Sequence, residues 1–117
     1  MLRVGVLGAG HLGKIHLRLL NDSPLYDLGG FYDPDEILAG SVALELGYHK
    51  FDTLQELMEA VDVVDIVTPT LSHYDCARQA IGNKKHVFIE KPITQTLEEA
   101  VELQELLVTH GLKGQVG

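Results

Sequence analysis

The residues able to do chemistry fall in a few short stretches. Gly8-Ala9-Gly10-His11-Leu12-Gly13 sets G-x-G-x-x-G between an apolar, strand-like run and a helical one. At such a turn the absence of a side chain at Gly10 lets a pyrophosphate approach the backbone, while the amides around His11 and Leu12 open a helix whose partial positive end favours phosphate. Gly8 permits the tight turn and Gly13 lets the helix pack closely on the sheet. The same triplet also suits a tight strand-to-helix turn that binds nothing.

Asp33 lies 20 residues after Gly13, at the tip of a second apolar run. A carboxylate there accepts hydrogen bonds from the adenosine ribose hydroxyls and repels a 2′-phosphate, which selects NAD. Asp33-Pro34-Asp35 also reads as a helix entry with Asp33 as N-cap and Pro34 in the first helical position. Later loops are Thr68-Pro69-Thr70-Leu71-Ser72-His73 and Glu90-Lys91-Pro92. Pro92 disfavours a helical conformation at Lys91 and so directs a cation from a strand tip. A lysine there can hydrogen-bond the nicotinamide ribose and a substrate hydroxyl, and can help move that oxygen's proton if its pKa is lowered. Spacing alone reads Lys91 equally as a solvated surface lysine.

The elements that must position these groups alternate, short β-branched runs with longer helical stretches, and that alternation predicts an α/β fold, a doubly wound parallel sheet of the Rossmann type with about six strands. Strands are predicted over residues 2–7, 28–32, 48–51 (weak), 63–67, 86–89 and 112–116. Helices are predicted over 12–21, 35–46, 54–60, 72–82 and 97–110. Thr53-Leu54-Gln55-Glu56 and Thr96-Leu97-Glu98-Glu99 match the capping box. In the last helix Leu97, Ala100, Val101, Leu103 and Leu107 form a stripe expected to be core.

Composition narrows the function classes. The chain has 117 residues with 45% hydrophobic and 22% charged, the size and balance of one domain able to form a core without staples. A net charge of −8 argues against a partner made of nucleic acid. A single cysteine, Cys76, gives no disulfide framework and suits a reducing cytoplasm. No apolar stretch reaches the roughly 20 residues of a membrane span, so no membrane partner is expected. The six histidines show no paired metal-ligand spacing beyond His11 and His16, taken as a chance pair, so no metal site is expected.

The glycine turn, the Thr68 to His73 loop and the Glu-Lys-Pro tripeptide after a β-branched strand together resemble the Gfo/Idh/MocA oxidoreductases, in that family's order and over essentially the whole chain. The resemblance implies an NAD(H)-binding domain of an enzyme moving a hydride between nicotinamide and a secondary alcohol of a sugar, inositol or nucleotide-sugar. It implies a catalytic role for Lys91, and cofactor contacts from Gly8, Gly10, His11, Leu12, Gly13, Asp33, Thr68, Pro69, Thr70, His73, Glu90 and Lys91. Many relatives carry Asn where Thr70 stands. His73 also reads as a plain helix-start residue. The resemblance further implies that residues 1–117 are the dinucleotide-binding part of a longer homo-oligomeric enzyme, whose second domain supplies the substrate pocket and would leave this part inactive alone. The rival from another class is a non-catalytic module that senses NAD(H), which needs the glycine turn and Asp33 but has no use for an oriented lysine. A methyltransferase is more distant and gains nothing from Lys91.

Overall fold

The computed structural model describes residues 1–117. Five parallel strands, β1 (Leu2–Leu7), β2 (Tyr26–Tyr32), β3 (Val63–Ile66), β4 (His86–Ile89) and β5 (Gly114–Val116), form one sheet in the order β2-β1-β3-β4-β5. The helices are α1 (His11–Asp22), α2 (Glu36–Leu46), α3 (Leu54–Ala60), α4 (His73–Gly82) and α5 (Leu97–His110), with a 3-10 turn at Thr70–Ser72. Parallel strands require crossovers, and right-handed crossovers running one way from β1 to β2 and the other way from β2 to β3, β4 and β5 put helices on both faces. One core joins α1 and α2 to the sheet through Val6, Leu17, Phe31, Ala39 and Val42. The other packs Leu57, Met58, Ala77, Ile81 and Leu103 from α3, α4 and α5 against Val64, Ile66, Val87 and Ile89.

Local chemistry sets the helix ends. Thr53 and Thr96 cap α3 and α5 by accepting the N–H groups of Glu56 and Glu99 at 3.1 and 3.2 Å. Gly47 and Gly111 end α2 and α5 in the left-handed conformation. No helix is long and apolar enough to cross a membrane.

Three expectations need correction. The sheet has five strands: residues 48–51 contribute only the bridge between Lys50 and Phe31, because Phe51 turns into the core and Thr53 already caps α3. The N-cap of α2 is Asp35, which accepts the Leu38 N–H at 3.0 Å, and Asp33 is left for other work. The α5 stripe is core at Leu103, with Leu107 half-buried against it; Leu97 is 80% exposed and Val101 45%, and both lie outside the core.

Candidate functional site

The carboxyl ends of four adjacent strands meet in one row. Gly8 N–H donates to the Tyr32 carbonyl at 2.9 Å, Val67 N–H to that of Leu7 at 2.8 Å, and Glu90 N–H to that of Ile66 at 3.0 Å. The glycine turn, Asp33, the Thr68 loop and Glu90-Lys91-Pro92 therefore leave the sheet side by side, at the edge where open α/β sheets bind ligands.

The three glycines differ in what surrounds them. Gly8 has φ +110°, and a Cβ there would lie 2.7 Å from the Val67 carbonyl oxygen. A Cβ on Gly13 would run into the Gly8 carbonyl oxygen, so α1 starts hard against the turn. Gly10 has φ −68°, and a Cβ there would meet nothing within 4 Å. Its bareness answers to no neighbour in the fold, and the open space beside it is where a bound group would come. Gly10 is also the N-cap of α1 without any side-chain cap, so amides of the first turn, where His11 and Leu12 are exposed, are left for another acceptor.

Asp33 is fixed by the backbone. Its Oδ2 accepts the Ala9 N–H and its Oδ1 accepts the Asp35 N–H, both at 2.8 Å. Each carboxylate oxygen accepts more than one hydrogen bond, so ribose hydroxyls can still be served.

At the other end of the row, Lys91 and Pro92 are exposed and joined by a cis peptide. Lys91 N–H donates to the Gly117 carbonyl at 3.2 Å. Thr68 and Thr70 are half-buried and Pro69 is exposed. His73, by contrast, lies inside the protein at 1% exposure. Its Nδ1 faces the Pro92 carbonyl oxygen at 2.8 Å and its Nε2 the Thr68 carbonyl oxygen at 2.7 Å. It clasps the two loops together from beneath.

Sequence reasoning missed a further group. His16 on α1 places Nδ1 2.7 Å from Asp65 Oδ2 and Nε2 2.9 Å from Glu90 Oε2. Asp65 is 4% exposed in the middle of β3, and its Oδ1 has no partner. The hydrogen bond that His16 donates to Asp65, followed by the charges of Asp65 and Glu90, holds His16 above its ordinary pKa, while burial opposes them. Burial pushes Asp65 up as well. The signal was an aspartate within an otherwise apolar strand, since a buried carboxylate needs a partner.

A parallel sheet with a glycine turn at one strand end and an acidic residue at the next defines a dinucleotide-binding domain of the Rossmann class. The chain belongs to the Gfo/Idh/MocA family, matching over residues 2–117 the group described as an oxidoreductase family with an NAD-binding Rossmann fold. It is 39% identical over 99 residues to UDP-N-acetylglucosamine 3-dehydrogenase of Acidithiobacillus ferrooxidans, covering 85% of this chain and 31% of that protein. To the NAD(+)-dependent scyllo-inositol 2-dehydrogenase of Bacillus subtilis it is 39% identical over 120 residues, covering 99% of this chain and 35% of that one. Among solved structures, GenD2 from gentamicin A biosynthesis in complex with NAD superposes with a TM-score of 0.91 at 30% identity, over 99% of this chain and 34% of that one. The chain spans about a third of the length of the curated relatives it matches.

NAD fits the residues present. The open face at Gly10 and the uncapped first turn of α1 suit a pyrophosphate, and Asp33 suits a ribose diol.

Proposed function

We propose that this domain serves an oxidoreductase that interconverts a secondary alcohol and a ketone on a sugar, inositol or nucleotide-sugar. Bound NAD supplies the hydride acceptor. The amides at Gly10 to Gly13 hold its phosphates, Asp33 accepts from the adenosine ribose and favours NAD over NADP, and the Thr68 to Thr70 loop and Glu90 line the nicotinamide half. Lys91 hydrogen-bonds the reacting oxygen and carries the proton that leaves it, which is positioned acid-base chemistry.

The observation that carries this reading is the position of Lys91. It is exposed at the end of β4, in the same row of strand tips as the glycine turn, and its flanking backbone is tied down at Glu90 N–H, Lys91 N–H and the Pro92 carbonyl. These backbone bonds hold Lys91 at the strand tip while its side chain stays exposed. We also propose a second domain in the whole protein that builds the substrate pocket and a homo-oligomer interface. Support comes from the chain's share of its relatives' length and from the partly exposed α1-side face of β4 and β5 at Phe88 and Gln115, where parallel sheets are ordinarily covered on both faces.

Lys91→Ala in the whole protein tests the reading. Turnover should fall at least about a hundredfold, the lower end for a positioned acid-base group. Near-normal turnover would remove Lys91 from the chemistry and favour an NAD(H)-sensing module.

A further inference from the structure

His16 adds a side-chain link between α1 and the tip of β4, beside the backbone ladder that already runs from β1 through β3 to β4. It stands on α1, whose first turn faces the phosphate side, and it reaches across to the Glu90 side chain at the tip of β4. Asp65 holds its other nitrogen from β3, between them. Both partners are carboxylates, so both contacts are donated together only when the ring carries two protons. The Phe88 ring of β4 also lies near, its centroid 6.2 Å from that of His16 and its plane inclined by 62°.

Burying Asp65 with one oxygen unpartnered costs stability, and a valine like its neighbours Val63 and Val64 would fill this strand position without that cost. Stability therefore does not explain the pair. What the pair adds is a tie between α1 and the Glu90 side chain, which the backbone ladder does not hold. Glu90 precedes Lys91, and the backbone on either side of Lys91 is already held.

We propose that His16, oriented by Asp65, is a positioning residue that ties Glu90 to α1 and so sets Lys91 at a fixed distance from the helix start that binds the phosphates. The proposal rests on the reading of Lys91 given above, and its reach is the nicotinamide half of the cofactor alone.

The test uses the 117-residue chain and two probes, NADH and ADP, the second lacking the nicotinamide half. Lys91→Ala should weaken NADH about tenfold, the worth of one charge-assisted hydrogen bond, and leave ADP unchanged. His16→Ala should weaken NADH several-fold, also without change for ADP, and the double variant should bind NADH no worse than Lys91→Ala does. Equal losses for NADH and ADP in His16→Ala, or additive losses in the double variant, would overturn the proposal by showing a merely structural histidine. No loss in His16→Ala beside a clear loss in Lys91→Ala would overturn it too. If Lys91→Ala itself leaves NADH unchanged, the assignment of Lys91 fails first and the positioning role falls with it. Should His16→Ala not fold, Asp65→Asn is nearly isosteric and should show the same one-sided loss for NADH in weaker form; equal affinity for NADH in that variant and in the parent would count against the proposal.

Discussion

Asp33 Oδ2 accepts the Ala9 N–H at 2.8 Å, so the acid that closes β2 also holds the glycine turn that follows β1. The carboxylate is thus part of the fold as well as the proposed acceptor for the ribose. Asp33→Ala should cost about 1–3 kcal/mol in chemical denaturation, the range for charge-assisted bonds to backbone amides. It should also narrow the preference for NAD over NADP, because a carboxylate about 4 Å from a phosphate costs roughly 1–4 kcal/mol. Calorimetric titration with both cofactors checks the second effect, and an unchanged ratio would show that Asp33 only braces the turn.

Gly10 and Gly13 should separate binding from folding. Gly10→Val places its side chain in open space at an ordinary φ, so the melting temperature should hardly move while NAD affinity falls at least tenfold. Gly13→Ala sets a methyl group against the Gly8 carbonyl and should cost more than about 2 kcal/mol, as overpacking does. Thermal melts with and without NAD distinguish the two, and a collapse of unliganded Gly10→Val would assign that glycine to the fold.

His73 carries a prediction of the opposite kind to a ligand contact. Removing its ring leaves a buried gap and deprives the Thr68 and Pro92 carbonyls of their shared neighbour. His73→Ala should therefore destabilise by about 2–4 kcal/mol. A loss below about 0.5 kcal/mol in urea denaturation, typical of surface sites, would refute the clasp.

The His16 and Asp65 pair makes stability depend on pH. Because His16 titrates above its ordinary 6.5 in the folded chain, its stabilising contribution is complete below 6.5 and is lost as pH rises through the folded value. The upward shift of Asp65 acts with the same sign, since the folded chain holds that proton more tightly than the unfolded one. Melts of the parent and of His16→Asn between about pH 6 and 9 should show the parent's advantage shrinking with rising pH. A constant or growing advantage would contradict the pairing.

Much of this was legible in the sequence for identifiable reasons. β1, β3 and β4 show as strands because short runs rich in valine, isoleucine and leucine mark them, and Thr53 and Thr96 announce their helices through the glutamates three residues on. Residues 48–51 have strand composition, but whether they extend a sheet depends on where α3 begins. The Leu97 and Val101 stripe has helical periodicity, yet periodicity reveals a face and not what covers it. His16 was opaque because its partners lie far away along the chain, and His73 because its partners are main-chain carbonyls that no residue type announces. Only the aspartate inside β3 hinted at a partner.

In the function proposed above, NAD lies along the strand tips from Asp33 to Lys91. Titrating NAD into the ¹⁵N-labelled 117-residue chain, followed by amide chemical shifts, tests this most directly. The amides of Gly8 to Gly13, Asp33, Thr68, Thr70 and Lys91 should shift together and saturate at one concentration, while those along the exposed face of α5 stay still. Absence of shifts at Gly10 to Leu12, or saturating shifts confined to α5 and β5, would contradict it.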